Sequence, residues 1–91
     1  MSYLVEILVK YKKGLLDPEA KTIQSALAQM GYDVSELKTG KYFSYTSNKK
    51  SKEDARKQAE ELSNKLLTNP LIENFNIISI KEYNSEKNNE S

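Results

Sequence analysis

An α+β fold is predicted, and three observations predict it. Apolar residues alternate at period two in short runs, recur at helical spacing in two longer runs, and the two kinds interleave. The resulting order is strand, helix, strand, strand, helix, strand. Right-handed crossovers turn that order into a four-stranded antiparallel sheet with both helices on one face, a ferredoxin-like β-α-β-β-α-β arrangement. The chain has 91 residues, enough for one core and no second. A single domain is expected over 1–83. Residues 84–91 carry no apolar side chain and read as a disordered tail.

The first strand is expected over 3–11. Tyr3, Val5, Ile7, Val9 and Tyr11 fall on one face. Leu4 and Leu8 fall on the other beside Glu6 and Lys10, so that face is half apolar. Lys12-Lys13-Gly14 is a turn. Asp17-Pro18-Glu19 then starts a helix: Asp17 caps the free amides, Pro18 fits the first helical position, and Glu19 suits the dipole. Leu16, just before the cap, can staple onto the first turn. Ala20, Ile23, Leu27 and Met30 make one apolar stripe, and Gly31 ends the helix where a positive φ is wanted.

A second strand is expected over 32–38, with Val34 and Leu37 three apart, a break that suggests a bulge or bend. Thr39-Gly40 is a turn, and 41–47 is a third strand with Phe43 and Tyr45 on one face. These two strands form a hairpin. Ser51 opens the second helix, with Asp54 in the place of the usual capping-box Glu or Gln. That helix is expected over 52–68, burying Ala55, Ala59, Leu62 and Leu66.

The stretch from Leu66 to Phe75 then sets both a helix end and a strand start. Pro70 stops the helix by Asn69, a residue that tolerates the left-handed conformation. Leu71 and Ile72 return to the core. Phe75 begins the last strand, which runs to Tyr83. Phe75 and Ile77 share one face, while Ile78 and Ile80 shift toward the other.

Composition excludes several functions. The chain has no His and no Cys, which removes the commonest general base, thiolate metal sites and disulfides. Its three glycines are isolated, so no phosphate-cradling motif is present. A formal charge of +1 with interspersed Lys and Glu argues against a nucleic-acid partner. The aromatics of Lys41-Tyr42-Phe43-Ser44-Tyr45 faintly resemble an RNA-stacking strand, but the glycine-aromatic pattern is missing. No run approaches membrane-spanning length, and the N-terminus lacks a basic flank, so a cytoplasmic location is expected. Leu4, Leu8, Ile78 or Ile80 and a hairpin tyrosine can make the open sheet face apolar. A homodimer, able to pair further into a dimer of dimers, is expected to cover it.

Three separated segments carry a family resemblance. The first is Gly14-Leu15-Leu16-Asp17-Pro18-Glu19-Ala20, with Leu27 and Gly31. The second is Gly40-Lys41-Tyr42-Phe43. The third, and most specific, is Leu66-Leu67-Thr68-Asn69-Pro70-Leu71-Ile72-Glu73-Asn74-Phe75. Together they resemble PurS, the small subunit of phosphoribosylformylglycinamidine (FGAM) synthase, over 3–83. Lys38 departs from the Arg often found two residues before the glycine, and Ala20 from a frequent Gly.

The resemblance implies a place in de novo purine biosynthesis. There, an ATP-dependent, glutamine-hydrolysing ligase converts phosphoribosylformylglycinamide to the amidine. A glutaminase subunit releases ammonia, and a large synthetase subunit uses ATP and Mg²⁺. The small subunit is implied to assemble the two and to help guide ammonia, with no catalytic residue, cofactor or metal of its own. Candidate partner-contact residues are Asp17, Pro18, Lys38, Gly40, Lys41, Asn69, Pro70 and Glu73. The rival reading is a stand-alone ferredoxin-like sensor of a small metabolite.

Overall fold

The computed structural model describes residues 1–84; of the expected tail, 85–91 lie outside the described residues. The elements are β1 (Ser2–Tyr11), α1 (Pro18–Gln29), β2 (Gly40–Ser47), α2 (Lys52–Leu62), a π-helical turn (Ser63–Leu67) and β3 (Glu73–Tyr83). The sheet has three strands, not four, in the order β2-β1-β3, with both pairings antiparallel.

Central β1 follows its pattern closely. Tyr3, Val5, Ile7 and Val9 are buried, while Leu4, Glu6 and Leu8 on the opposite face are half-buried. The buried set meets Ala55 and Ala59 of α2 and Ile80 of β3, with Phe43, Tyr45, Leu62, Leu67, Phe75 and Ile77 packed around them. Two alanines at i, i+4 let the helix approach the sheet closely, so short side chains suffice to close this core.

The missing strand is segment 32–38. Its break in alternation has a structural cause: the stretch is anchored to the first helix region at both ends, the Tyr32 amide donating to the Leu27 carbonyl at 2.9 Å, and is not part of a ladder. The Leu37 amide donates to Gln24 Oε1 at 3.0 Å, and the Thr39 amide donates to Asp17 Oδ2 at 3.0 Å. Glu36 sits at φ 56, where extended pairing ends. The hairpin expected between 32–38 and 41–47 is therefore absent, and β2 pairs with β1 alone, from Tyr3 opposite Ser47 to Lys10 opposite Gly40.

The helices differ from expectation in two ways. Only α2 and the turn after it contribute to the core cluster; α1 contributes nothing to it. Within α1 only Ala20 is buried; Leu27 is half-buried, while Ile23 and Met30 are 38% and 68% exposed, so the expected stripe is covered only in part. Leu16 is also 68% exposed and does not staple the first turn.

The second difference is one of register. The α-helix stops at Leu62, and the Thr68 amide donates to the Ser63 carbonyl at 3.0 Å, an i→i+5 bond. That wider turn inserts one residue into the helical count. From Leu62, the inward position moves from Leu66, which is 82% exposed, to the half-buried Leu67.

The last strand has a shift as well. Between Glu6 opposite Ser79 and Ile7 opposite Ile77, Ile78 is unpaired. This bulge returns Ile80 to the face already occupied by Phe75 and Ile77, where it packs in the core opposite Val5. Leu71 and Ile72 do not enter the core; they are 83% and 39% exposed.

Candidate functional site

All eight singled-out residues gather at one end of the sheet, where β1 finishes and β2 and β3 begin. Gly40 lies opposite Lys10, and Glu73 lies opposite Tyr11. Asp17 and Pro18 open α1 just beyond β1, Lys38 lies two residues before Gly40, and Asn69-Pro70 leads into Glu73.

Asp17 does more than cap a helix. One carboxylate oxygen accepts the Ala20 amide at 3.0 Å, as an N-cap should. The other accepts the Thr39 amide at 3.0 Å, and the Thr39 hydroxyl is within hydrogen-bond distance of both oxygens, at 3.1 and 3.0 Å. A single carboxylate thus joins the start of α1 to the residue before β2. Hydrogen bonds from the Ala20 amide, then from the Thr39 amide, favour the charged form and hold its pKa below the usual carboxylate range; the Lys38 charge acts in the same direction. Thr39 is the member that sequence reading missed. No local signal exists for a partner 22 positions away.

Gly40 is required for a reason other than a turn. It is already the first residue of β2, and a Cβ there would lie 2.6 Å from the Val9 carbonyl oxygen. Gly14 and Gly31, by contrast, have open space around them and positive φ values of 87° and 94°. For Gly31 this is the helix stop that its position predicts.

The Asn69-Pro70 loop is tied down by Glu73. Glu73 Oε1 accepts the Asn69 amide at 2.8 Å, and the Glu73 amide donates back to the Asn69 carbonyl at 2.8 Å. Asn69 Oδ1 accepts the Leu71 amide at 3.1 Å, a local side-chain turn that leaves Asn69 outside the left-handed region expected for it. Lys41 Nζ lies 3.3 Å from Glu73 Oε2; its own side chain is 57% exposed and the glutamate's 10%. The Asn69 amide, followed by Lys41, lowers the Glu73 pKa. The Lys12 amide also donates to the Ile72 carbonyl at 2.8 Å, so the end of β1 grips the same loop.

The two carboxylates at this end, Asp17 and Glu73, anchor backbone amides. Both are held ionised, which makes them weak bases and unavailable acids near neutral pH. Among the described residues, no three His, Cys, Asp or Glu side chains gather where they could hold a metal ion. No helix among them is long and apolar enough to cross a membrane. What the network presents outward is mixed: Leu66 and Leu71 flank Asn69-Pro70, both more than four-fifths exposed, and the side chains of Lys38 and Lys41 are exposed beside them.

Known proteins share this chain's pattern almost from end to end. The family model for PurS, phosphoribosylformylglycinamidine (FGAM) synthase, matches residues 4–81. The PurS subunit of FGAM synthase from Methanothermobacter thermautotrophicus is 38% identical over 82 residues, covering 90% of this chain and 96% of that protein. Thermus thermophilus PurS superposes with a TM-score of 0.83 at 26% identity, over 92% of this chain and all of that one. A chain of PurLQS from Thermotoga maritima superposes with a TM-score of 0.78 at 26% identity, over 91% of this chain and 99% of that one. With sequence, length and fold in agreement, the chain belongs to the PurS family of FGAM synthase subunits.

Proposed function

We propose that this chain is the non-catalytic assembly subunit of an FGAM synthase in purine biosynthesis, joining a glutaminase subunit to a large synthetase subunit. The observation that carries the reading is the sheet end just described. Its carboxylates are held in hydrogen bonds that fix the loops around them, and its outer surface sets exposed Leu66 and Leu71 beside exposed lysines, the mix of apolar anchor and charge that suits a docking surface. The same outward positions — Lys38, Lys41, Asn69 and Pro70 — are the proposed partner contacts. Asp17, Pro18, Gly40 and Glu73 hold them in place. A neighbouring fold in the Thermotoga maritima PurLQS structure supports a role inside such a complex. In this reading ATP and Mg²⁺ act in the synthetase subunit, the complex is cytoplasmic, and the small subunit helps to guide ammonia between the two active sites.

A homodimer belongs to the same proposal, with a dimer of dimers as its extension. Leu4, Leu8 and Tyr42 lie on the sheet face away from α2, and Ile23 and Met30 leave α1 with apolar surface in water. The Cα radius of gyration is 16.8 Å, against about 12 Å for a compact chain of this length. Such an expanded protomer buries little by itself, and a second copy supplies what is missing.

Mixing tests the reading. Glutamine-dependent amidine formation is expected only when this chain, the glutaminase and the synthetase are combined, and neither glutamine nor ATP is turned over by this chain alone. Full activity of the other two subunits without it would overturn the assembly role. A stand-alone metabolite sensor would bind its ligand and leave the two partners unaffected.

A further inference from the structure

The net charge of +1 conceals a local excess. Between the β1–α1 loop, α1 and segment 34–39 lies a cleft of about 800 Å³. Lys10, Lys12, Lys13, Lys21 and Lys38 all line it. Among the described residues the ion pairs are Lys41–Glu73 and Lys65–Glu61, so none of these five lysines is paired with an acid. Two carboxylates share the lining, Asp17 and Glu36. Asp17 is already engaged by the Ala20 amide, the Thr39 amide and the Thr39 hydroxyl. Five lysines therefore line a single cleft against two carboxylates, a local excess of three positive charges.

We propose that this cleft binds a polyphosphate-bearing small molecule of nucleotide size. The volume lies within the range of small-ligand sites, about 300–1,000 Å³. Lysine ammonium groups recognise phosphate as point charges, without the planar geometry that arginine imposes. Leu16, Val34 and Leu37 add an apolar wall against which a flat, uncharged ring can lie. Concave walls and mixed lining favour a compact ligand over an acidic protein segment, which needs an extended basic stripe. The proposal stands apart from the assembly role except at Lys38, which both invoke: a chain that assembles the synthase without binding nucleotide would retain the one and lose the other.

Calorimetric titration of the full chain tests it, using ADP, pyrophosphate, inorganic phosphate and a glutamate-rich peptide as separate probes. Saturable binding of ADP and of pyrophosphate is expected, weaker for inorganic phosphate, and weakened further by added salt. ADP tighter than pyrophosphate assigns a share to the ring; equal affinities assign recognition to the phosphates alone. The Lys13→Gln, Lys38→Gln double variant should lose at least about tenfold in affinity, and Lys21→Gln a smaller factor. Lys57→Gln, on the opposite helix α2, should lose nothing. Methyl shifts of Leu16 and Leu37 on adding ADP to the unaltered chain give a readout that does not depend on any variant folding. No saturable binding at millimolar ADP, tighter binding of the peptide, or affinity unchanged in the double variant would each overturn the proposal.

Discussion

Replacing Gly40 with alanine sets a Cβ 2.6 Å from the Val9 carbonyl oxygen and 3.0 Å from Lys10 Cγ. Carbon and oxygen that are not bonded rarely approach within about 3.3 Å, so something must move by about 0.7 Å. The lysine side chain can swing away, but the carbonyl cannot. Val9 is 1% exposed and paired on both sides, with Lys41 of β2 and Phe75 of β3. The strand that yields is therefore β2, at the end where Lys41 reaches Glu73. Overpacking of this kind costs about 1–3 kcal/mol. Taking about 2 kcal/mol, and about 4–8 °C per kcal/mol for a domain of this size, the melting temperature should fall by about 8–16 °C. Thermal melts at one fixed protomer concentration measure this, since self-association would otherwise move the midpoint. Gly14→Ala is the control. It meets no atom within 4 Å and has only its positive φ to lose, for about 1 kcal/mol. A Gly40→Ala variant within about 0.5 kcal/mol of the parent would show that β2 accommodates a side chain freely, and the steric account of this glycine would be wrong.

Other expectations follow from the same end of the sheet. Asp17 and Glu73 both have folded pKa values below their unfolded ones, so their contribution is present above about pH 4 and is lost as pH falls through the lowered values. Denaturant midpoints should therefore drop on acidification below about pH 4, with a smaller drop in Asp17→Asn; a midpoint flat down to pH 2 would contradict it. Asn69→Ala removes only the bond to the Leu71 amide and should cost about 1 kcal/mol or less, so a tenfold loss of affinity for the partner subunits would mark a contact role. Parental affinity in a folded variant would make the loop purely structural. Glu36→Gly relieves a left-handed non-glycine residue and should raise stability or leave it level, by up to about 1 kcal/mol, as read by urea denaturation.

Much of this architecture can be read from local chemistry. The capping of both helices is visible at Asp17 and Ser51 because an N-cap needs only its own three following residues, and the Ser51 hydroxyl accepts the Asp54 amide at 3.0 Å as the pattern predicts. The period-two burial of β1 is equally local. Segment 32–38 is not readable as a loop, since the Leu37 amide and the Thr39 amide just after it are held by Gln24 and Asp17, residues 13 and 22 positions earlier. A propensity scan sees Val34 and Leu37 but not those acceptors. The clustering of the motif residues at one sheet end depends on strand order, and removing one strand from the expected sheet leaves that end intact. Thr39 escaped notice because its partner is a carboxylate that already had a sufficient local role.

The turn at Ser63–Leu67 also bears on how relatives should be aligned. A π-turn differs from an α-turn by one residue in the count, so it is what a helix becomes when a codon is inserted and the flanking packing is preserved. A homologue with one residue fewer between 62 and 67 would keep every inward contact by running as unbroken α-helix. An alignment that refuses a gap inside a helix would then match Leu66, which faces water, with a core leucine elsewhere, and would score the difference as divergence. Placing the gap within the turn restores Leu67 to that column, and with it the true correspondence of every residue on the C-terminal side of the insertion.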